Sequence, residues 1–457
     1  MFRTTTPRRA YVETYGCQMN VSDGELMEGI LAAEGYEIVR RPEDADVVLV
    51  NTCAIREHAE KRVLGRVAQL NGLKTERPDL VIGVTGCMAQ RMGETLLAEA
   101  PYVDLVMGPD GYRALPDSLR RLGAGLASPA PAADRRRLTV LDFHPVENYE
   151  GLEQRRTDGP SAWVPIQRGC DHRCTFCIVP YVRGPEKNRS AEEVVAEVEG
   201  LAARGVSEVT LLGQTVNSYR WETVSFAELL RRVARVPGIR RVRFTSPHPN
   251  DVTPELVEAM AEEPAVCEQL HLPVQSGSNR TLKRMLRRYT VEEFLSKVDL
   301  VRRAIPDVAL STDVIVAFPG ESEPEFHDTI ELMRTVRFDE AYTYKYSLRD
   351  GTPASRLPEH DFVPPDEAQA RLQELIDVSR AIQAKINERE VGRVEEVLIE
   401  KPARQEGQIL GRTRRNKVVV FDGDVTRIGE YTHVELERTT GATFAGTEVG
   451  VTAAVTA

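Results

Sequence analysis

The stretch RGCDHRCTFC, residues 168–177, carries Cys170, Cys174 and Cys177 in the spacing C-x3-C-x2-C. Four-iron clusters are held by thiolates, ordinarily four. Three thiolates leave one iron without a protein ligand, and an open metal position marks a catalytic site rather than a structural one. A closed zinc site would need a fourth donor within reach. Cys267, the other cysteine of this segment, lies 90 residues beyond Cys177 in an apolar strand-like pattern and reads as core. His172, inside the loop, reads as a loop residue rather than a ligand.

A second set of cysteines has wider spacing. Cys17 to Cys53 is 36 residues and Cys53 to Cys87 is 34, each about one strand–helix unit. Each cysteine closes a strand-like run: AYVETYGC (10–17), DVVLVNTC (46–53) and LVIGVTGC (80–87). Between them lie helical patterns such as SDGELMEGILAAEG, with Gly35 where a helix-ending glycine belongs. This alternation predicts a parallel sheet, whose C-terminal strand edge is where ligands bind. A single such cysteine is most simply a small buried hydrophobe. Three at one phase on one edge read as ligands of one metal site.

The 457 residues suffice for about three domains. Residues 124–137, AGLASPAPAADRRR, lack apolar periodicity and read as linker. Beyond them, six strand candidates alternate with helical patterns: 163–169, 208–214, 242–246, 267–275, 308–318 and 341–347. Ser190 with Glu193, and Thr290 with Glu293, form helix-start pairs. Six such units predict a partial (β/α)6 barrel with its active residues at the strands' C-terminal ends. Gln214, Asn217, Ser246, His248, Gln275, Ser276 and Asp313 stand there. From residue 388 the period shortens, and VEEVLIE, KVVVF, HVELE and EVGVTAAV predict a small antiparallel β-barrel. The expected fold class is therefore α/β: an N-terminal open parallel α/β sheet domain, a central partial barrel, and a C-terminal small antiparallel β-barrel.

The composition, 41% hydrophobic and 28% charged, is that of a globular protein. No run approaches the roughly 18 apolar residues of a membrane span, and MFRTTTPRRAY lacks a signal-peptide core, so a soluble, cytoplasmic protein without a membrane partner is expected. Seven cysteines, an odd number, argue for metal or redox chemistry over disulfides. The net charge of −11 argues against indiscriminate polyanion binding, yet two windows are basic. KPARQEGQILGRTRRNK (401–417) has six Lys or Arg against one Glu, and RTLKRMLRRY (280–289) has five and no acid. Such clusters can neutralise phosphates. Arg412, Arg414, Arg415 and Lys417 are the expected phosphate contacts.

C-x3-C-x2-C with Phe176 before the third cysteine resembles the radical S-adenosylmethionine (SAM) superfamily. TYGCQMNVSD, VNTCAIRE and GCMAQR resemble the methylthiotransferase N-terminal domain. CTFCIVPYVRGPE, LLGQTVNSY, HLPVQSGSN and YSLRDGTPAS are similar to one branch, the tRNA-2-methylthio-N6-dimethylallyladenosine synthases. The C-terminal β-domain resembles the TRAM domain, an RNA-binding barrel. The likeness runs from about residue 10 to 450. It implies a methylthiotransferase N-terminal domain (8–125), a linker (126–155), a radical SAM core (156–386) and a TRAM domain (388–453). Two positions depart from the branch, Thr215 where Asn is usual and Leu348 where Pro is usual; these bear on fine substrate contacts.

The resemblance implies methylthiolation of carbon 2 of N6-(dimethylallyl)adenosine at position 37 of tRNA, in the anticodon loop. It implies two [4Fe-4S] clusters, an auxiliary one on Cys17, Cys53 and Cys87 and one that binds SAM on Cys170, Cys174 and Cys177. One SAM would methylate sulfur on the first; another, cleaved on the second, would yield a 5′-deoxyadenosyl radical. Phe176 would pack on the SAM adenine and Gln214 would contact its methionine end, with Gln275 and Asp313 as further pocket residues. No general acid or base is implied beyond the clusters. A one-electron donor such as flavodoxin or ferredoxin is required. Neighbouring alternatives are methylthiolation of threonylcarbamoyladenosine in tRNA or of a ribosomal-protein aspartate. An alternative of another class is a non-catalytic iron–sulfur or zinc RNA-binding module.

Overall fold

The computed structural model describes residues 7–54, 57–123, 137–156 and 159–450. Apolar runs separated by helices build an all-parallel N-terminal sheet from β1 (Arg9–Thr14), β2 (Glu37–Ile38), β3 (Val47–Thr52), β4 (Val81–Gly86), β5 (Leu105–Met107) and β6 (Leu138–Val140), in the order β2-β1-β3-β4-β5-β6. β3 and β4 are buried along their whole length, as central parallel strands covered on both faces must be. Alternate β3 residues feed two cores: Val47 and Leu49 pack with Leu26, Leu31 and Tyr112, while Val48 and Val50 pack with Val63, Val67 and Leu96. Helix Gln18–Ala33 ends at Gly35, whose φ of +85° is the left-handed turn expected of it.

Part of the stretch read as linker is not linker. Leu138–Val140 is β6, paired in parallel with β5, and Tyr149 stacks on Tyr112 at 5.7 Å. A three-residue strand is too short to show a period in sequence. The Pro- and Ala-rich stretch, 124–136, lies outside the described residues.

The central segment contributes β7 (Ser161–Pro165), β8 (Glu208–Leu212), β9 (Arg241–Phe244), β10 (Gln269–His271), β11 (Ala309–Val316) and β12 (Glu340–Lys345). Parallel pairing joins β9-β8-β7 and β10-β11-β12, and a single parallel bridge from Val242 to Val266 connects the halves. The strands thus follow one another in chain order as a partial barrel. Thr290 and Glu293 form the full reciprocal cap. Ser190 accepts from Glu193 N, but the Glu193 carboxylate turns to Arg189 instead.

The C-terminal strands β13 (Val394–Pro402), β14 (Gln408–Thr413), β15 (Val418–Asp422), β16 (Tyr431–Thr439) and β17 (Thr443–Glu448) close a barrel in the order β13-β14-β15-β17-β16. Residues 408–413 of the basic window form β14, with Ile409 and Gly411 alternating inward beneath the charged residues, and 414–417 make the turn into β15. The EVGVTAAV run, 448–455, overlaps the described strand Thr443–Glu448 only at Glu448, and its residues 451–455 lie outside the described residues.

The basic turn after β14 also does something other than expected. Arg414 pairs with Glu268 at 2.9 Å and Lys417 with Asp339 at 2.7 Å. Arg415 bridges Glu390 and Glu395, and Arg412 pairs with Glu400 at 3.3 Å. From the other side, buried Arg243 donates to the carbonyls of Thr413 and Arg414, at 2.8 Å each. Glu268 and Asp339 immediately precede β10 and β12, so the turn plugs the N-terminal end of the partial barrel. All four cations already hold carboxylates within the chain, and the phosphate role expected for them is withdrawn. Their partners lie far away in sequence, which a charge count cannot reveal.

Candidate metal centres

Cys17, Cys53 and Cys87 follow three adjacent strands, β1, β3 and β4, at their C-terminal ends. Cys17 caps helix Gln18–Ala33 and Cys87 opens helix Cys87–Met92. Glycines make the approach possible. Gly16 has φ +135°, and a Cβ there would lie 2.6 Å from Cys53 Cβ; Gly86 has φ +90°, and a Cβ there would meet Asn51 Oδ1 at 2.5 Å. Asn20 and Asn51, both fully buried, tie the edge together. Asn51 Nδ2 donates to Asn20 O at 2.7 Å, Asn20 Nδ2 donates to Thr52 O at 3.1 Å, and Cys17 Sγ donates to Asn20 Oδ1 at 3.3 Å. A hydrogen bond with Cys53 brings the Cys17 thiol down to about 6, whereas burial pushes Cys87 up.

The second triad follows β7. Gly169, at φ +76°, sits so tightly that a Cβ would lie 1.9 Å from Pro185 O. This turns the chain into the loop bearing Cys170, Cys174 and Cys177. Cys170 Sγ lies 3.1 Å from Thr215 Oγ1, so the residue that departs from the branch pattern touches a candidate ligand. Arg287 Nη1 donates to Cys174 Sγ at 3.4 Å. Burial pushes the Cys177 thiol up to about 12, with the neighbouring cysteines adding to it. None of the seven cysteines is in a disulfide, and Cys267 is buried in the core as expected.

One short helix, Val179–Arg183, runs between the triads. It begins two residues after Cys177, and its Ile178 and Val182 side packs against Cys87 and Ala54. Its last residue, Arg183, donates to Asp23 Oδ2 at 2.7 Å, while Arg168 donates to Asp23 Oδ1 at 2.6 Å. Asp23 is fully buried, and the two guanidinia outweigh burial to hold its carboxyl below the ordinary range. Asp110 and Lys187 form a second buried pair across the same seam.

The expected SAM residues are spread along one end of the barrel. Gln214 lies two residues past β8, with its Oε1 buried and without a hydrogen-bond partner among the described residues. Phe176 packs on the cluster of Met285, Phe318 and Ala354. Gln275 is buried, with φ +71°, and is fixed by its backbone to Asp313 O and Ile315 N. Asp313 Oδ2 lies 3.5 Å from His271 Nε2, and His271 Nδ1 lies 3.0 Å from Ser311 Oγ. His172 stacks on His248 at 4.0 Å with the ring planes 10° apart. His172 Nε2 also lies 3.7 Å from Asp251 Oδ2, so His172, His248 and Asp251 bring one donor atom each to within 4.8 Å of one another, which reading His172 as a loop residue alone does not anticipate.

Sequence reasoning missed Asn20, Asn51, Asp23, Arg183 and Arg287. The signal was partly there, since Asn20 and Asp23 stand within the quoted TYGCQMNVSD and Arg183 within CIVPYVRG. The donor set at each triad, three soft sulfurs on a strand edge, fits an iron–sulfur cluster with one open iron.

Three family descriptions match the chain: Uncharacterized protein family UPF0004 over residues 9–108, Radical SAM superfamily over 164–333, and TRAM domain over 388–447. Among solved structures, the chain resembles the radical S-adenosylmethionine methyltransferase TsrM from Kitasatospora setae, with a TM-score of 0.57, 16% identity, and 76% and 75% of the two chains covered. It also resembles the cobalamin-dependent enzyme OxsB, with a TM-score of 0.54, 13% identity, and 82% and 58% covered. At that identity the likeness is one of fold. Curated relatives are much nearer. A tRNA-2-methylthio-N(6)-dimethylallyladenosine synthase of Clostridium botulinum is 42% identical over 96% of each chain. One of Chlorobium limicola is 42% identical over 96% of this chain and 97% of its own, and one of Cereibacter sphaeroides is 42% identical over 97% and 99%. With identity sustained across all three segments and both cysteine triads in place, the chain belongs to the tRNA-2-methylthio-N(6)-dimethylallyladenosine synthase family.

Proposed function

We propose that this chain is a radical SAM methylthiotransferase that replaces the C2 hydrogen of N6-(dimethylallyl)adenosine, at position 37 in the anticodon loop of tRNA, with a methylthio group. The observation that carries this reading is the pair of cysteine triads joined by the five-residue helix Val179–Arg183. In this reading residues 8–125 hold one [4Fe-4S] cluster through Cys17, Cys53 and Cys87. Residues 156–386 hold the other through Cys170, Cys174 and Cys177, and 388–453 contact RNA. When bound, the clusters and SAM supply one-electron cleavage of SAM, a methyl group and sulfur, with the electron drawn from a donor such as flavodoxin or ferredoxin.

The chain's own residues position and exclude. Gln214 Oε1 offers its vacant acceptor to SAM, and Phe176 presents a ring held by Met285 and Phe318. Gln275 shapes the wall through its constrained backbone. Asp313, held beside His271, is a further pocket residue in this reading. The seam pairs Asp23–Arg168 and Asp110–Lys187 hold the two triads in one orientation. The C-terminal barrel meets RNA through surfaces other than the Arg412–Lys417 turn, which the barrel plug consumes.

The reconstituted protein, incubated with SAM, reductant and tRNA bearing the dimethylallyl group, should yield 2-methylthio nucleoside detectable by mass spectrometry. Tenfold less product is expected on tRNA lacking that group. Equal turnover on both substrates, or product only on threonylcarbamoyladenosine tRNA, would overturn the assignment.

A further inference from the structure

Arg183 belongs to the barrel segment, yet it is buried beside the N-terminal cysteines, with 4% of its surface exposed. Nη2 is used on Asp23. Nη1 is buried and has no hydrogen-bond partner among the described residues. A buried charged donor left unpaired is costly, so a fold that keeps one has an acceptor in view. The helix bearing Arg183 packs through Ile178 and Val182 in one buried cluster with Ala54 and Cys87 of the N-terminal segment. Two guanidinia, Arg168 and Arg183, face the single carboxylate of Asp23, which leaves one positive charge uncompensated at this seam.

We propose that Arg183 is a positioning residue for the cluster held by Cys17, Cys53 and Cys87, donating its Nη1–H to a sulfur of that cluster and raising its reduction potential. This rests on the proposed ligand role of those three cysteines. Hydrogen bonds to sulfur and nearby positive charge both stabilise the reduced, more negative cluster. The auxiliary site is then complete only when the barrel is docked, because its cation comes from the helix that starts at the other triad.

The test uses full-length Cys170/Cys174/Cys177→Ala protein, reconstituted anaerobically so that only the N-terminal site carries iron. Its potential is read by titration monitored by electron paramagnetic resonance. Arg183→Gln should lower the midpoint so that the reduced-to-oxidised ratio at fixed potential falls about tenfold, or about 59 mV for a one-electron couple. Arg183→Lys retains charge but not the planar fork, and should fall by less while keeping parental iron. Should the Gln variant prove insoluble, the Lys variant decides. An unchanged midpoint in an iron-replete variant overturns the role of Arg183 alone. Absence of iron from the parent with Arg183 intact overturns the ligand assignment of the three cysteines, and the inference with it.

Discussion

Arg414 grips Glu268 through two nitrogens, Nε at 2.9 Å from Oε2 and Nη2 at 2.9 Å from Oε1, across 146 residues of chain. Nη2 also donates to Val266 O at 2.7 Å. This seats the C-terminal barrel against the closed end of the partial barrel, opposite the cysteines. Arg414→Ala should therefore weaken docking and leave the salt dependence of tRNA binding as in wild type. A true phosphate contact would reduce that slope by about 1. Arg243→Ala should be the more damaging, by about 3–5 kcal/mol, since it strips a buried cation from Glu208 and two carbonyls. Urea denaturation and a salt series on tRNA binding check both.

Asp23→Asn removes the carboxylate between two buried guanidinia. Breaking a buried pair from one side costs about 3–5 kcal/mol. The Asp23 carboxyl is depressed in the folded state, so its contribution is present above its ordinary 3.8 and disappears as pH falls through the lower folded value. The variant should melt far below wild type at pH 7 and lose part of the wild-type acid sensitivity below pH 3.8. Thermal melts across that range provide the check.

Glu25 behaves in the opposite sense. Burial pushes its carboxyl from 4.5 up to about 7, with Arg156 only partly opposing. The folded state then holds a proton that the unfolded state releases. Stability from this group is complete below pH 4.5 and is lost as pH rises through 7. Glu25→Gln mimics the protonated form and should match wild type near pH 4.5. At pH 8 it should exceed wild type by up to about 3 kcal/mol, read from urea midpoints.

Gly169→Ala places a Cβ 1.9 Å from Pro185 O in a left-handed backbone. The loop bearing Cys170, Cys174 and Cys177 would have to move. Iron per reconstituted chain should fall by about half, while the N-terminal sheet retains its own. Wild-type iron content in this variant would contradict the role given to the turn.

Two four-iron clusters amount to roughly eight irons per chain. Replacing Cys17, Cys53 and Cys87 together with Ala should leave about four. About four in both proteins would leave a radical SAM core without its proposed sulfur donor, and the methylthiotransferase reading would not survive.

The sequence by itself determined where the cysteines fall in the fold. Cys17, Cys53 and Cys87 recur at the period of a strand–helix unit, and period is a local property that a one-dimensional string preserves. The same holds for C-x3-C-x2-C, for Gly35 ending its helix, and for the capping of Thr290 by Glu293. Tertiary structure alone decided which charges meet. Arg414 finds Glu268, Arg243 finds the carbonyls of Thr413 and Arg414, and Arg183 finds Asp23 at separations of 146, 170, 171 and 160 residues. Such pairs leave no periodic trace, so a basic window reads as a phosphate site until its carboxylates are located. Leu138–Val140 likewise becomes a strand only because β5 offers an edge. Spacing is written along the chain, whereas ion-pair partners and sheet edges exist only after the chain has closed on itself.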